Sequence, residues 1–474
     1  MTDAPRRAIA WFRRDLRLTD NRMLEAATRS AERVWPVFVV DPALLETHST
    51  ARGRTAWFAA NVRALDERLR DEGSGLTLLE GRPADVLPAF ASEVGAEAAY
   101  AAADEDPVAT ARDERVAEVL GLRLVDDQRI VAPSELRTGS GTPYTVYTPF
   151  SRALDDRVDG APDALTARAD ADHSKLAPPP ARTAGAGTFG ESSPPHELPP
   201  AGEEAATNRL RAFLRGDMTR YRDERDRPDL DSTSHLSPYL RVGVISVRAC
   251  WRAAHNAAER ARTRRDRRLA RSAATWRGEL AWREFFAHVL AAHPRLATES
   301  YRRELDDVEW ASGDEADDAV DAWRNGRTGF PFVDAGMRQL IATVWMHNRA
   351  RLVTASFLVK DAGVDWRRGE SVYLENLLDA DTQQNNGNWQ WVAGVGTDAA
   401  PYFRIFNPTL QAKKFDPDGA YVRRWVPELA HLPDDMIHEP WRSPDSPQDY
   451  PPPMFDHAEA RQRTLTRYRA VSAR

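Results

Sequence analysis

Cysteine is almost missing from these 474 residues. Cys250 stands alone, which excludes an intrachain disulfide and any cysteine-built zinc or iron–sulfur centre. Set among apolar neighbours, it reads as a buried structural thiol. Lysine is nearly as scarce, with 4 residues among 65 cations, so charge-assisted binding falls to arginine. No run approaches the ~18 apolar residues of a membrane span, and the Met1–Arg7 stretch has no signal-peptide apolar region; a cytoplasmic protein with no membrane partner is expected. Walker A, H-E-x-x-H, nucleophile-elbow and repeat patterns are all lacking, which argues against NTPases, zinc hydrolases, serine esterases and solenoids, and no metal site is expected. Gly185, Gly187 and Gly190 do match G-x-G-x-x-G, but no strand precedes them and Pro194 and Pro195 deny them a helix, so the dinucleotide fingerprint fails its context.

What is present is uneven. The net charge of -7 conceals a segment, 206–285, with 19 Arg against 10 acidic residues, a local balance of +9. Such a stretch suits phosphates, although an arginine-rich composition also produces it. Of 14 tryptophans only Trp11, Trp35 and Trp57 precede residue 250, so eleven crowd the last 225 positions. They can be core filler, stacking surfaces or a path for electrons.

In the first third, Ala8–Phe12, Val34–Val40, Leu76–Leu79, Ala98–Ala102 and Leu122–Val125 read as strands, with helical patterns near 21–32, 52–72, 83–93 and 108–120 between them. That βαβ rhythm predicts a doubly wound parallel sheet, whose ligands sit beyond the carboxyl ends of the strands, near Arg13–Asp15, Asp41 and Asp104–Asp106. Residues 151–205 hold eight of the 32 prolines and read as a connector. Beyond it the spacing is helical, as in Met337, Leu340, Ile341, Val344 and Trp345. The chain is therefore divided into an α/β domain at 1–150, a linker at 151–205 and an all-α domain at 206–474.

The helical part carries the informative segments. Asp231-Ser232-Thr233-Ser234-His235-Leu236-Ser237-Pro238 places clustered hydroxyls before a helix, either a phosphate cradle or an ordinary cap with a turn. Trp276–Phe286 follows, in which Glu279, Trp282 and Arg283 share one helical side; an ion pair explains Glu279 and Arg283 as well as a site does. Then come Thr328–Pro331, Trp345–Arg351, Asp379-Ala380-Asp381, Asn385–Trp391 and Tyr402–Pro408.

Together with Trp11–Arg17 near the start, and in this order and spacing, these segments closely resemble the photolyase/cryptochrome flavoproteins, and most of all the class I cyclobutane pyrimidine dimer photolyases. The resemblance implies an α/β antenna domain followed by an all-α FAD-binding domain, acting as a monomer on damaged DNA. It implies light-dependent repair of cyclobutane pyrimidine dimers by electron transfer from photoexcited reduced FAD, a carbon–carbon lyase reaction; a cryptochrome-type blue-light photoreceptor is the alternative. By the same resemblance, Tyr221, Thr233, Ser234, His235, Leu236, Ser237, Asn348, Arg351, Asp379, Ala380, Asp381 and Asn385 would hold FAD. A cation and a neutral amide, from Arg351 and Asn385, would suit an anionic reduced flavin. Glu279, Trp282, Asn348, Asn385 and Trp391 would form the catalytic pocket, with Trp282 and Trp391 as aromatic walls for the two pyrimidines, flipped from the duplex as in other base-flipping enzymes. Arg225, Arg283, Arg349, Leu352 and Gln411 would complete the contact with DNA. Trp310, Trp366 and Trp389 match the family's electron-transfer chain. Arg13, Asp104, Asp106 and Arg241 are similar to the antenna site that takes 8-hydroxy-5-deazaflavin, with 5,10-methenyltetrahydrofolate as the other candidate. Asn348 and Leu352 stand where the (6-4) photolyases would show His, and Asn385 where plant-type cryptochromes often have Asp.

Overall fold

The protein is described from a computed structural model, over residues 6–43, 51–162, 167–180, 197–398, 401 and 403–472. The G-x-G-x-x-G glycines and Tyr402 lie outside these residues. The chain forms two compact units, Met1–Arg222 with Ser234–Pro294, and Asp223–Thr233 with Arg295–Arg474.

The first unit is built on five strands, β1 (Arg7–Phe12), β2 (Arg33–Val40), β3 (Thr77–Glu80), β4 (Ala98–Ala102) and β5 (Leu122–Val125). All pairings are parallel and the order is β3-β2-β1-β4-β5. Helices α1 (Arg22–Ser30), α2 (Arg52–Asp71), α3 (Pro83–Val94) and α4 (Pro107–Ala117) connect them. Continuous apolar runs such as β2 follow from this arrangement, because a parallel strand covered by crossover helices is buried on both faces. Ile9, Trp11, Trp35 and Val37 from the sheet pack with Leu87 and Phe90 of α3. The Asn21 side chain accepts from the Leu24 N–H to start α1, and Asp106 accepts from Val108 to start α4.

Further helices belong to the same unit: α5 (Tyr147–Gly160), α6 (Gly202–Arg215), α7 (Ser237–Val242), α8 (Val247–Arg264) and α9 (Arg267–Ala292). They are tied to the strand ends by polar groups buried from water. Arg248, with no exposed surface, donates to Asp127 at 2.9 Å and to Asp20, while Arg17 reaches Asp127 at 2.6 Å. The Leu16 N–H donates to the Val242 carbonyl, and Gly243, at φ 71, lies so close that a Cβ would sit 1.9 Å from the Arg14 oxygen; only glycine fits.

The second unit is helical: α10 (Gly313–Arg324), α11 (Pro331–Thr343), α12 (Asn348–Ser356), α13 (Trp366–Asn376), α14 (Thr382–Ala393), α15 (Pro408–Phe415) and α16 (His457–Ser472), with shorter turns between. Trp323, Trp366 and Trp389 sit in its core at 0–2 % exposure. A ring of that size buries 150–250 Å², so each stabilises the core by roughly 4–6 kcal/mol before entropy is counted. Among the described residues no helix is long and apolar enough to cross a membrane.

Candidate functional site

The second unit contains a cleft lined by Asn348, Arg351, Leu352, Asp379, Ala380 and Asn385, with Trp389 among the other walls. Its residues come from α12, from the end of α13, and from α14 with the turn before it. His347 caps α12, its Nδ1 accepting from the Arg349 N–H at 3.1 Å, which puts Asn348 at the first turn and Arg351 one turn on. Arg351 is fixed at two points: Nη2 donates to Asp379 Oδ2 at 2.9 Å and Nε to the Met346 carbonyl at 2.8 Å. Its side chain stays 24 % exposed in the cleft, while that of Asp379 is 5 % exposed. Asp381 caps α14 through the Gln383 N–H at 3.2 Å, and one turn later Asn385 donates its amide to the Glu370 carbonyl at 3.1 Å.

The donor set decides what fits. A guanidinium held by a carboxylate, a buried amide and small walls at Ala380 and Ala355 match a flat heteroaromatic ring with polar edges and a negative charge, as an isoalloxazine provides. Beside Asn385 is a group that residue patterns did not single out. Glu370 is buried, and burial pushes its carboxyl up to about 8 despite the Asn386 amide and Arg367, which act in the other direction.

Trp310, Trp366 and Trp389 all lie in this unit. Trp366 and Trp389 are core residues and Trp310 packs against that core. Their indole nitrogens are buried with no hydrogen-bond partner among the described residues. Trp389 stands edge-on to Tyr373 at 5.0 Å and Trp323 at 6.2 Å, and Trp310 edge-on to Tyr468 at 6.1 Å. Trp391 and Leu352 are half-buried at the margin of the same core. Arg349 is engaged by Asp226 at 2.8 Å and lies over the Phe415 ring at 4.1 Å. Gln411, on α15, and Arg225 are half-buried. Thr233 also belongs to this unit.

The remaining candidates fall in the first unit. Tyr221 packs edge-on against Phe213 at 5.6 Å; Ser234 accepts from Arg209 through its carbonyl at 2.8 Å; His235 has a positive φ of 49; Leu236 is buried and Ser237 begins α7. Glu279, Trp282 and Arg283 are half-buried on α9. Trp282 stacks on Tyr147, and Arg283 donates to the Gln128 carbonyl at 3.1 Å.

At the carboxyl ends of the strands, Arg13 donates to Asp113 and to the Ala102 carbonyl and lies over Trp11 at 4.8 Å. Asp104 is buried, which alone would raise its pKa, but Arg14 at 2.7 Å and Arg13 hold it well below the usual carboxylate range. Asp106 spends an oxygen on capping α4, and Arg241 is half-buried in the last turn of α7. Much of the acidic run's bonding capacity thus goes to the protein itself.

One unit built on a doubly wound parallel sheet, and a second, helical unit whose cleft suits an isoalloxazine, define a flavoprotein class. Residues 8–169 match the DNA photolyase family profile, and residues 276–470 match that of the FAD binding domain of DNA photolyase. The deoxyribodipyrimidine photo-lyase of Halobacterium salinarum is 40% identical over 97% of this chain and 98% of its own. Among solved structures, a bacterial class III photolyase from Agrobacterium tumefaciens superposes with a TM-score of 0.86 at 36% identity, covering 100% of this chain and 99% of its own. A Synechocystis cryptochrome does so with a TM-score of 0.85 at 27% identity, over 98% and 100%. The chain belongs to the DNA photolyase family.

Proposed function

We propose that this chain is a deoxyribodipyrimidine photo-lyase that repairs cyclobutane pyrimidine dimers in DNA using light and reduced FAD. The observation that carries the reading is the cleft in which Arg351, tied to Asp379, and the Asn385 amide line one space, in a chain similar over its whole length to photolyases. FAD, when bound in its anionic reduced form and excited by light, supplies the electron that splits the cyclobutane ring and takes it back afterwards. The chain's residues select that charge state and hold the substrate. Arg351 offers a cation whose orientation Asp379 and the Met346 carbonyl set in advance, and Asn385 offers a neutral amide that cannot protonate. Trp282 and Trp391 are assigned as stacking partners of the flipped pyrimidines, Glu279 and Asn348 as hydrogen-bonding partners of their polar edges, and Arg225, Arg283, Arg349, Leu352 and Gln411 as contacts to the flanking strand. Stacking is worth roughly 1–3 kcal/mol per base and phosphate contacts add a salt-dependent term. Trp310, Trp366 and Trp389 are assigned to photoreduction. The phosphates and ribityl chain are assigned to Tyr221 and the Thr233–Ser237 run.

Class I membership and the three-part division at 150 and 205 remain our reading of the residues. So does a second chromophore near Arg13, Asp104, Asp106 and Arg241, for which we favour 8-hydroxy-5-deazaflavin over 5,10-methenyltetrahydrofolate on the acidic-x-acidic-Pro run; a fluorescence excitation spectrum of the purified protein identifies it. A cryptochrome-type photoreceptor is the second reading, favoured by the likeness to the Synechocystis protein. One experiment separates the two: irradiate reduced holoprotein with a dimer-containing oligonucleotide and measure restored thymines against a dark control. Light-dependent repair is expected; flavin photochemistry with no restored thymine contradicts the repair reading.

A further inference from the structure

Trp282 does not form a wall by itself. Its ring lies parallel to that of Tyr147, with centroids 3.6 Å apart and planes within 3°, while Phe285 meets it edge-on at 5.6 Å. The Tyr147 hydroxyl donates to the Gly278 carbonyl at 2.8 Å. In an α-helix that carbonyl is also the acceptor for the N–H four residues on, at Trp282. One tyrosine therefore grips the helical turn that carries both Glu279 and Trp282 by its hydroxyl, and covers one face of the indole with its ring. Tyr147 is the first residue of α5, and α5 is anchored behind α9 by Phe150, which packs on Phe285 at 5.4 Å and on His288 at 5.0 Å. Phe286 also packs on Trp282 at 5.5 Å, tilted by 32°, and the indole stays half-buried, so part of it remains exposed.

We propose that Tyr147 is a positioning residue for recognition of the pyrimidine dimer. It fixes the plane of Trp282 before the lesion arrives, so that stacking a base does not first have to order the indole. The inference rests on the proposed role of Trp282 as a lesion wall. It predicts a loss confined to damaged DNA, because an undamaged strand is held by backbone contacts that do not use the indole face.

The test compares Tyr147→Phe, Tyr147→Leu and Trp282→Ala in the FAD-loaded protein. The affinity for a dimer-containing oligonucleotide is measured beside that for the same oligonucleotide undamaged, with flavin content and photoreduction rate as structural readouts. Tyr147→Leu keeps an apolar side chain but loses the parallel ring and the hydroxyl, and is expected to weaken dimer binding by roughly 3–10-fold, the range of an aromatic pair. Tyr147→Phe keeps the ring and is expected to stay within about twofold of the parent, since it loses only a bond to a carbonyl that has another partner. Undamaged-DNA affinity, flavin content and photoreduction are expected to stay unchanged in both. Full dimer affinity in Tyr147→Leu, with Trp282→Ala impaired, overturns this inference and leaves the function standing. An equal loss on damaged and undamaged DNA in Tyr147→Leu overturns it also, because the effect is then general. Full dimer affinity in Trp282→Ala overturns the lesion role of Trp282 and this inference together.

Discussion

At the scale of single residues, the cleft combines groups that a sequence motif advertises with one that it hides. Arg351, Asp379 and Asn385 stand in recognisable segments. Glu370 stands in Trp-Arg-Arg-Gly-Glu, where neighbouring opposite charges suggest a solvated helix face, yet it is 7 % exposed. Its raised carboxyl carries a sign that can be tested. The folded-state value of about 8 lies above the ordinary glutamate value of 4.5, so the neutral form's contribution to stability is complete below about 4.5 and is lost as the pH rises through about 8. Glu370→Gln, which keeps a neutral group of the same shape, is expected to hold its melting temperature between pH 5 and 9 where the parent declines. A parallel decline in both, followed by thermal unfolding across that range, contradicts a titrating Glu370. The Asn385 amide bonds to the Glu370 backbone carbonyl, so the substitution leaves that bond available.

At the scale of elements, the helices of the second unit are shaped around tryptophan. On α13, Gly369 lies where a Cβ would come within 2.2 Å of Trp389 Cη2. Alanine is the better helix former by roughly 0.8–1 kcal/mol, but overpacking a full core costs typically 1–3 kcal/mol, so the steric term wins. Gly369→Ala is expected to lower stability by roughly 1–2 kcal/mol in denaturant titration and to slow flavin photoreduction by moving the Trp389 ring. An unchanged midpoint and rate remove the argument that Gly369 exists for that ring. Element α16 shows the limit of pattern reading. Its sequence, with Glu459, Arg461, Arg463 and Arg467, suggests a helix-like tail, yet Thr464 and Tyr468 are buried, and Tyr468 donates to the Ala393 carbonyl at 2.6 Å. The same carbonyl accepts from Lys360 at 2.7 Å, and burial pushes that lysine down to about 7. Ala460, Thr464, Leu465, Tyr468 and Val471 recur at helical spacing and are all buried, so that stripe is legible in the sequence, whereas the shared acceptor is not.

At the scale of the whole molecule, the first unit depends on charges placed where water cannot reach. Burial alone would raise the Asp20 pKa, but Arg248, Ser246, the Ala169 N–H and Arg252 bring it down to about 2. Its folded value thus lies below the ordinary 3.8, and the stability it contributes is present above about 3.8 and lost as the pH falls through about 2; Asp127 shifts in the same direction. Between about 4 and 6.5 two groups oppose each other. His288, lowered to about 4 by burial, loses stability toward acid, and Asp15, raised to about 6 by burial and Asp127, loses it toward base. These two nearly cancel, which leaves the Glu370 decline above about pH 4.5 as the net slope, and a steep loss below about pH 4 completes the expected stability curve. Arg248→Met removes the fully buried cation that Asp20 and Asp127 share and is expected to cost roughly 3–5 kcal/mol at neutral pH, while flattening the acid limb. Loss of less than about 1 kcal/mol by chemical denaturation, against that buried-pair magnitude, shows that Arg17 and Arg252 suffice.

The chain's order of amino acids by itself determined the five parallel strands, the helical remainder and the family, because those depend on periodicity and on local motifs that survive in one dimension. Parallel strands covered on both faces must be apolar throughout, and a helix start must have a cap; both leave readable marks. Tertiary structure alone decided which half-buried group faces which. Gly278 is 131 positions from the tyrosine that bonds to it, and nothing local in Tyr147-Thr148-Pro149 announces a partner on α9. It likewise decided that Glu370 is buried and that the acids beyond β4 bond to arginines and a helix start. Burial and pairing between distant segments are properties of packing, set by the sum of many contacts, and no single stretch of sequence carries them.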